Sequence, residues 1–157
     1  MVILLYALAT VACAAMAIRA PLADRDDPVR RAYAWLGITA AMTWFGWTLY
    51  LVPGFGIGKI VNGASAAFLP PTLLSFIDRF FSTGQGRRDR RVGQLGAMAP
   101  LVAVIYAFLE WFAPWRFGQA GAADLLLGLW VFGGLSLSLR RLWQLHQAST
   151  QDRKSVV

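Results

Sequence analysis

The residues best suited to chemistry are polar side chains within two apolar stretches of the sequence. Lys59, Asn62 and Ser65 follow one another at three-residue spacing, and Tyr106 and Glu110 lie one helical turn apart. Side chains three or four residues apart lie near one another on a helix surface. An acid inside a membrane is costly unless it has a partner. We therefore predict an outward-facing polar site made of these five residues, with a Lys59–Glu110 ion pair at its mouth; packing alone is the alternative role.

The remaining composition argues against most catalytic chemistry. The chain holds one His and one Cys, which excludes a bis-histidine haem, a Cys/His zinc site and a disulfide within the chain. His146 has no acid or nucleophile nearby in the sequence. The Gly-x-Gly-x-Gly run at 54–58 follows no predicted strand and lacks the ending of a phosphate-binding loop, so it is interpreted as a turn. We expect no enzymatic activity, no metal and no cofactor.

The elements that position the candidate site are membrane-spanning helices. Of the 157 residues, 57% are hydrophobic, more than a soluble domain of this size can bury. The apolar residues fall into blocks long enough to cross roughly 30 Å of hydrocarbon. The fold class is therefore predicted to be all-α, a bundle of five transmembrane helices. The predicted spans are 2–18, 32–52, 57–77, 93–113 and 122–139.

The distribution of basic residues predicts the orientation of these spans. Of the 15 Lys and Arg residues, all but Lys59 and Arg116 fall in alternate connections or after the last span. Cytoplasmic loops retain Lys and Arg. We therefore expect an N-terminus outside the cell, a C-terminus in the cytoplasm and a location in the cell inner membrane. Residues 1–146 form the predicted membrane domain, and residues 147–157 form a short polar cytoplasmic tail.

The basic residues on the cytoplasmic side are predicted to contact anionic lipid. Each basic side chain near such a surface contributes about 1 kcal/mol of attraction. Nucleic acid is not an expected partner, because retention of positive charge in the cytoplasm already explains these residues. The predicted lipid contacts are Arg87, Arg88, Arg90, Arg91, Arg140 and Arg141.

The third span contains Pro70 and Pro71 in tandem. Proline removes a backbone donor and clashes with the preceding turn, so we predict a kinked helix at Pro70-Pro71. The carbonyls freed near Ala66 and Ala67 then need partners inside the protein, because lipid supplies none. The two prolines are either a hinge that transmits a signal or a static kink.

The first span carries small residues at four-residue spacing. Ala9, Cys13 and Ala17 form a stripe along one face. Such stripes let membrane helices approach closely. We predict that this stripe is a helix-packing surface.

Three segments resemble those of a known family. Residues 68–81, which read Phe-Leu-Pro-Pro-Thr-Leu-Leu-Ser-Phe-Ile-Asp-Arg-Phe-Phe, resemble a helix in the N-terminal multi-span input regions of bacterial membrane sensor histidine kinases and related signalling proteins. Residues 27–36 are similar to the first cytoplasmic loop of those regions, and the basic exit at 139–143 also fits. The resemblance implies membrane sensing coupled to a cytoplasmic kinase, often through a dimer. The phosphoacceptor and ATP-binding segments of that family do not occur in the sequence, and His146 lacks the acidic residue that follows a phosphoacceptor histidine.

Two functions follow from these observations. The first is a non-catalytic sensory input or scaffold module in the membrane, which acts through helix packing with a partner or in a homodimer. The alternative is an accessory subunit beside a larger membrane complex, such as a respiratory or photosynthetic one, with aromatic residues facing partner helices, pigments or lipids. A transporter is a weaker third interpretation, because no inverted repeat is visible and few polar groups lie within the spans.

Overall fold

A computed structural model shows a bundle of helices. The structure describes residues 2–23, 26–53, 56–81, 90–112 and 121–154, and no strand occurs within these ranges. The prediction of an all-α fold is therefore confirmed for this part of the chain. The helices are α1 (Val2–Ala23), α2 (Pro28–Tyr50), α3 (Ile57–Ala66), α4 (Leu69–Phe81), α5 (Arg90–Phe112) and α6 (Ala122–Lys154).

Four helical stretches within the described residues are long and apolar enough to cross a membrane: Val2–Ala20, Ile57–Phe81, Arg90–Phe112 and Ala122–Gln147. The second stretch, Ile57–Phe81, is α3 and α4 together. The second predicted span, α2, has 23 residues but a less apolar composition, because it is rich in Trp, Tyr, Thr and Gly. Its threonine hydroxyls donate to carbonyls one turn earlier, as Thr39 does to Trp35 at 2.8 Å.

The predicted kink in the third span is a short turn that divides the span into two helices, although the Ala67 N–H still donates to the Gly63 carbonyl. It lies at Ala67 and Phe68, a few residues before the prolines. This offset has a simple cause: Pro70 and Pro71 have no N–H to offer to the carbonyls four residues earlier, at Ala66 and Ala67. The prolines themselves occupy the first turn of α4, where a missing N–H costs nothing.

The bent helix α3/α4 lies at the centre of the bundle. Helix α3 packs against α2, α5 and α6, and α4 also contacts these three helices. Helix α1 packs chiefly against α2. At Gly37 an added Cβ would lie only 2.9 Å from the Ala17 Cβ and 3.3 Å from the Cys13 carbonyl oxygen, so two of the three residues of the predicted small-residue stripe pack closely against α2.

Helix α6 is longer than the span predicted in this region. It begins at Ala122 and continues to Lys154. Most of the segment predicted to be a short tail is thus a continuation of the same helix. At about 1.5 Å per residue, a helix of 33 residues is about 50 Å long.

Candidate functional site

The predicted ion pair between Lys59 and Glu110 is present in the structure. The Lys59 Nζ lies 2.8 Å from the Glu110 Oε1 and 3.0 Å from the Asp124 Oδ2. Helix α3 supplies the lysine, α5 the glutamate and α6 the aspartate. We call these three residues the Lys59 cluster, and it joins three helices at one end of the bundle.

The members of the Lys59 cluster differ in burial. The side chain of Glu110 is 6% exposed and that of Lys59 is 15% exposed, whereas the Asp124 side chain is 30% exposed. Removing water from a carboxylate is costly, and a close ammonium group offsets this cost. Glu110 therefore depends on Lys59 more strongly than Asp124 does.

Asp124 was missed by the sequence analysis, because it lies at the predicted membrane boundary, where a solvated acid is ordinary. The position of Asp124 at the start of a helix is nonetheless typical of an acid that binds free backbone N–H groups. Asp124 is the third residue of α6, and its Oδ2 accepts a hydrogen bond from the Gly121 N–H at 3.3 Å. An acid at this position also interacts favourably with the positive end of the helix dipole.

The other predicted site residues lie deeper and bind backbone groups. The Asn62 amide donates to the Thr43 carbonyl at 2.9 Å, and the Ser65 hydroxyl donates to the Val61 carbonyl at 2.6 Å. A step of three residues rotates about 300° around a helix, so each residue lies about 60° from the previous one. This drift turns Asn62 toward α2 and away from Glu110.

Tyr106 contacts the backbone of α3 next to the Lys59 cluster. Its ring is 1% exposed and lies against Gly63, where any added Cβ would collide with it. Its hydroxyl donates to the Lys59 carbonyl at 3.5 Å. Tyr106 therefore holds α3 close to α5 and fixes the height of Lys59.

A cavity of about 380 Å³ adjoins the Lys59 cluster. Lys59 and Glu110 line it together with apolar and aromatic residues, which are Tyr50, Gly56, Ile57, Ile60 and Trp111. An apolar wall with a few convergent charged groups is typical of a small-molecule site. Of the five predicted site residues, Lys59 and Glu110 line this cavity, so its charged lining among the described residues is one ammonium and one carboxylate.

A second ionic group lies at the opposite end of the bundle. The Arg141 Nε and Nη2 donate to the Asp78 Oδ1 at 3.1 and 2.7 Å, and Asp78 is 4% exposed. We call these two residues the Asp78 pair, and it joins α4 to α6. The sequence analysis did not predict this pair.

One contact joins α6 to the interruption in the bent helix. The Trp130 indole N–H donates to the Ala67 carbonyl at 2.7 Å, and Ala67 is fully buried. The sequence predicted that a carbonyl freed by the prolines would need a partner inside the protein, and this bond confirms that expectation for Ala67.

The predicted lipid contacts occupy different environments. Arg90, Arg91 and Arg140 are exposed, whereas Arg141 is partly buried against Asp78. Arg87 and Arg88 lie outside the described residues. In the described part of the chain, no group of three or more His, Cys, Asp and Glu side chains is placed to hold a metal ion.

Comparison of the chain with protein-family models, curated proteins and solved structures gives no match.

Proposed function

We propose that the chain is a non-catalytic input module of a membrane signalling system, with five helices crossing the cell inner membrane. In this proposal α2 crosses the membrane in addition to the four apolar stretches named above. The N-terminus is outside and the C-terminal end of α6 is in the cytoplasm. The Lys59 cluster then lies at the outer surface and the Asp78 pair at the inner surface.

The positions of the two ionic groups support this placement. Asp124 and Arg141 are 17 positions apart on α6, or about 26 Å at about 1.5 Å per residue. Lys59 and Asp78 are 19 positions apart on the bent helix, or at most about 28 Å. Both distances approach the roughly 30 Å thickness of a hydrocarbon core. Each charged group therefore falls near a boundary, where charge is least costly.

The observation that carries the proposal is the attachment of α6 to the bent helix at three levels. Lys59 contacts Asp124 at one end, Trp130 contacts Ala67 in the middle, and Arg141 contacts Asp78 at the other end. A change in the Lys59 cluster would thus act on α6 through the interruption at Ala67. Since α6 continues to Lys154, it offers a direct route to a cytoplasmic partner.

The cavity beside Lys59 gives the module a place to receive a signal. A ligand that binds there would compete for Lys59, Glu110 or both. A ligand shifts a conformational equilibrium only when it interacts differently with the two conformations. Redistribution of the Lys59 ion pairs provides such a difference. The resemblance of residues 68–81 to histidine-kinase input regions is consistent with this role.

An accessory subunit of a larger membrane complex remains the second candidate function. One observation favours it: only 6% of the best apolar window of α1 is buried inside the chain. Side chains such as Leu4, Leu8 and Val11 are more than half exposed on this helix. A neighbouring subunit would cover this surface, as lipid would.

Extraction in a mild detergent at native expression, followed by size separation and mass spectrometry, distinguishes the two candidates. The input-module proposal predicts a small oligomer, or association with a kinase-like polypeptide. The same extraction from cells that lack the chain identifies background proteins. Stoichiometric association with a large complex would contradict the proposal and assign the chain as a subunit.

A further inference from the structure

A second cavity lies on the side of the bundle, away from the Lys59 cluster. It is a groove of about 230 Å³ between α2 and α5, and α4 forms its floor. Its walls include Trp35 of α2, Phe68 just before α4, Arg79 near the end of α4, and Val92 and Gly96 of α5. The groove exists because α2 and α5 each pack against α4 but scarcely contact each other.

The chemistry of the groove changes along its length. Its walls are mostly apolar, and Trp35 is 63% exposed. The Thr72 hydroxyl within it donates to the Phe68 carbonyl at 2.8 Å, so it adds little polarity. Phe68 and Arg79 are 11 positions apart, or about 16 Å along a helix. The groove is therefore elongated and mostly apolar, with a guanidinium group at one end.

The Arg79 end of the groove is fixed in place and surrounded by positive charge. The Arg79 Nη1 donates to the Pro28 carbonyl at 2.9 Å, which ties α4 to the start of α2. Arg31 and Arg91 are exposed at the adjoining ends of α2 and α5. Among the described residues at the adjoining ends of α2, α4 and α5, basic side chains outnumber acidic side chains that are not buried by five to two. The basic residues are Arg30, Arg31, Arg79, Arg90 and Arg91, and the acidic residues are Asp26 and Asp27.

We propose that this groove binds one acyl chain of an anionic phospholipid, and that Arg79 binds the phosphate of its headgroup. A guanidinium matches two phosphate oxygens with two parallel N–H donors. Basic pockets between membrane helices are suited to anionic headgroups. The mostly apolar groove continues from Arg79 toward the middle of the bundle, in the direction that an acyl chain takes from its headgroup. This site is independent of any signal received at the Lys59 cluster.

Two glycines of α5 provide a matched test. An added Cβ at Gly96 or at Gly93 meets no atom within 4 Å, so the first side-chain atom fits at both positions without a clash. Gly96 lines the groove and Gly93 does not. Gly96→Phe should occupy the groove and leave Arg79 intact, whereas Gly93→Phe should leave the groove open.

The experiment is native mass spectrometry of the full chain in detergent, titrated with dioleoylphosphatidylglycerol. We expect one retained lipid per chain, at least tenfold weaker binding in Gly96→Phe and Arg79→Gln, and little change in Gly93→Phe. Dioleoylphosphatidylcholine, which has the same acyl chains, should bind at least tenfold more weakly, and inorganic phosphate should not compete at millimolar concentration.

Three results would overturn the proposal. Equal binding of the two lipids would show that Arg79 does not recognise the headgroup. Equal binding to the two phenylalanine variants would place the lipid elsewhere. A change of oligomeric state in Gly96→Phe, without loss of lipid, would identify the groove as a contact between copies of the chain. Arg79→Gln also removes the bond to Pro28, so the glycine variants decide the outcome if that variant fails to fold.

Discussion

The Lys59 cluster and the Asp78 pair both join α6 to the bent helix, yet they are built differently. In the Asp78 pair, one carboxylate oxygen receives two N–H groups from one arginine. In the Lys59 cluster, one ammonium group lies between carboxylates from two different helices. The first arrangement matches one charge with one opposite charge, whereas the second gives the lysine two alternative partners.

This difference separates a fixed attachment from an adjustable one. Loss of Arg141 would leave the buried Asp78 carboxylate without this guanidinium, which is strongly destabilising, whereas the Arg141 side chain is 24% exposed. Lys59 keeps one carboxylate when the other is removed. The Lys59 cluster also adjoins the 380 Å³ cavity. Buried charge at one end of the bundle therefore maintains the fold, while at the other end it is suited to rearrangement.

The strongest test of this comparison removes Asp78. We expect Asp78→Ala to lower the free energy of unfolding by about 2–3 kcal/mol, because the hydrogen bonds between Arg141 and the Asp78 carboxylate are lost. Thermal unfolding in detergent, followed by circular dichroism, measures this loss. The double variant Asp78→Leu/Arg141→Leu should be more stable than Asp78→Ala, since an apolar pair needs no counterion. An Asp78→Ala variant as stable as the unmodified chain would show that the pair is not a fixed attachment.

We expect the next largest loss of stability when the contact between α6 and Pro70 is disturbed. A Cβ at Gly134 would collide with the Pro70 ring, whereas one at the adjacent Gly133 meets no atom within 4 Å. Gly134→Ala should therefore destabilise by about 2 kcal/mol through overpacking. Gly133→Ala should be neutral or slightly stabilising, because alanine favours the helix. Equal melting temperatures for the two variants would contradict close packing of α6 on Pro70.

The hydrogen bond in the middle of the bundle should have a smaller effect. Trp130→Phe keeps an aromatic ring but removes the N–H bound to Ala67, so a buried carbonyl loses its partner. We expect a loss of about 1–2 kcal/mol by thermal unfolding. Trp143 is 63% exposed, and Trp143→Phe is the matched control, with an expected change within about 0.5 kcal/mol. Similar losses in both variants would mean that the Ala67 bond adds no specific stability.

The smallest effects should come from the Lys59 cluster, and they should be unequal. Asp124→Asn should cost less than about 1 kcal/mol, since Asp124 is the most exposed member and Lys59 keeps Glu110. Glu110→Gln should cost about 1–2 kcal/mol, because Glu110 is buried and its charge-assisted bond is lost. The ratio of these losses, from the same unfolding measurements, sharpens the comparison. A larger loss in Asp124→Asn would reverse the assigned roles of the two acids.

The sequence predicted contacts at two places where a residue required a specific kind of partner. Glu110 in an apolar helix required a base, and Lys59 was the basic residue at a similar depth. Pro70 and Pro71 required a donor for the carbonyls that they leave without a partner. In both cases the chemistry of the polar group limited the possible answers.

The sequence could not predict which faces of α5 and α6 meet the other helices. A membrane helix is apolar on its lipid-facing side and its packed side alike, so hydrophobic periodicity does not identify the packed side. For that reason Trp130 was not assigned to Ala67, and Arg141 was expected at lipid. Asp78 and Arg141 are 63 positions apart, and only the rotation of α6 brings them together.

The proposed function requires that the Lys59 cluster be coupled to the Lys154 end of α6. Cys13 is the only cysteine in the chain, so Cys13→Ala gives a background for spin labels at Phe81→Cys and Gln144→Cys, both at exposed positions. Electron–electron resonance in lipid nanodiscs measures the distance distribution between the two labels. Glu110→Gln releases Lys59 from its more buried partner, and Ala122→Ser is a control at the same end of α6. If the coupling exists, we expect Glu110→Gln to shift or broaden the distribution of distances between the two labels by about 2 Å, the scale of helix movements in switching proteins. An unchanged distribution in a folded Glu110→Gln variant would contradict the coupling.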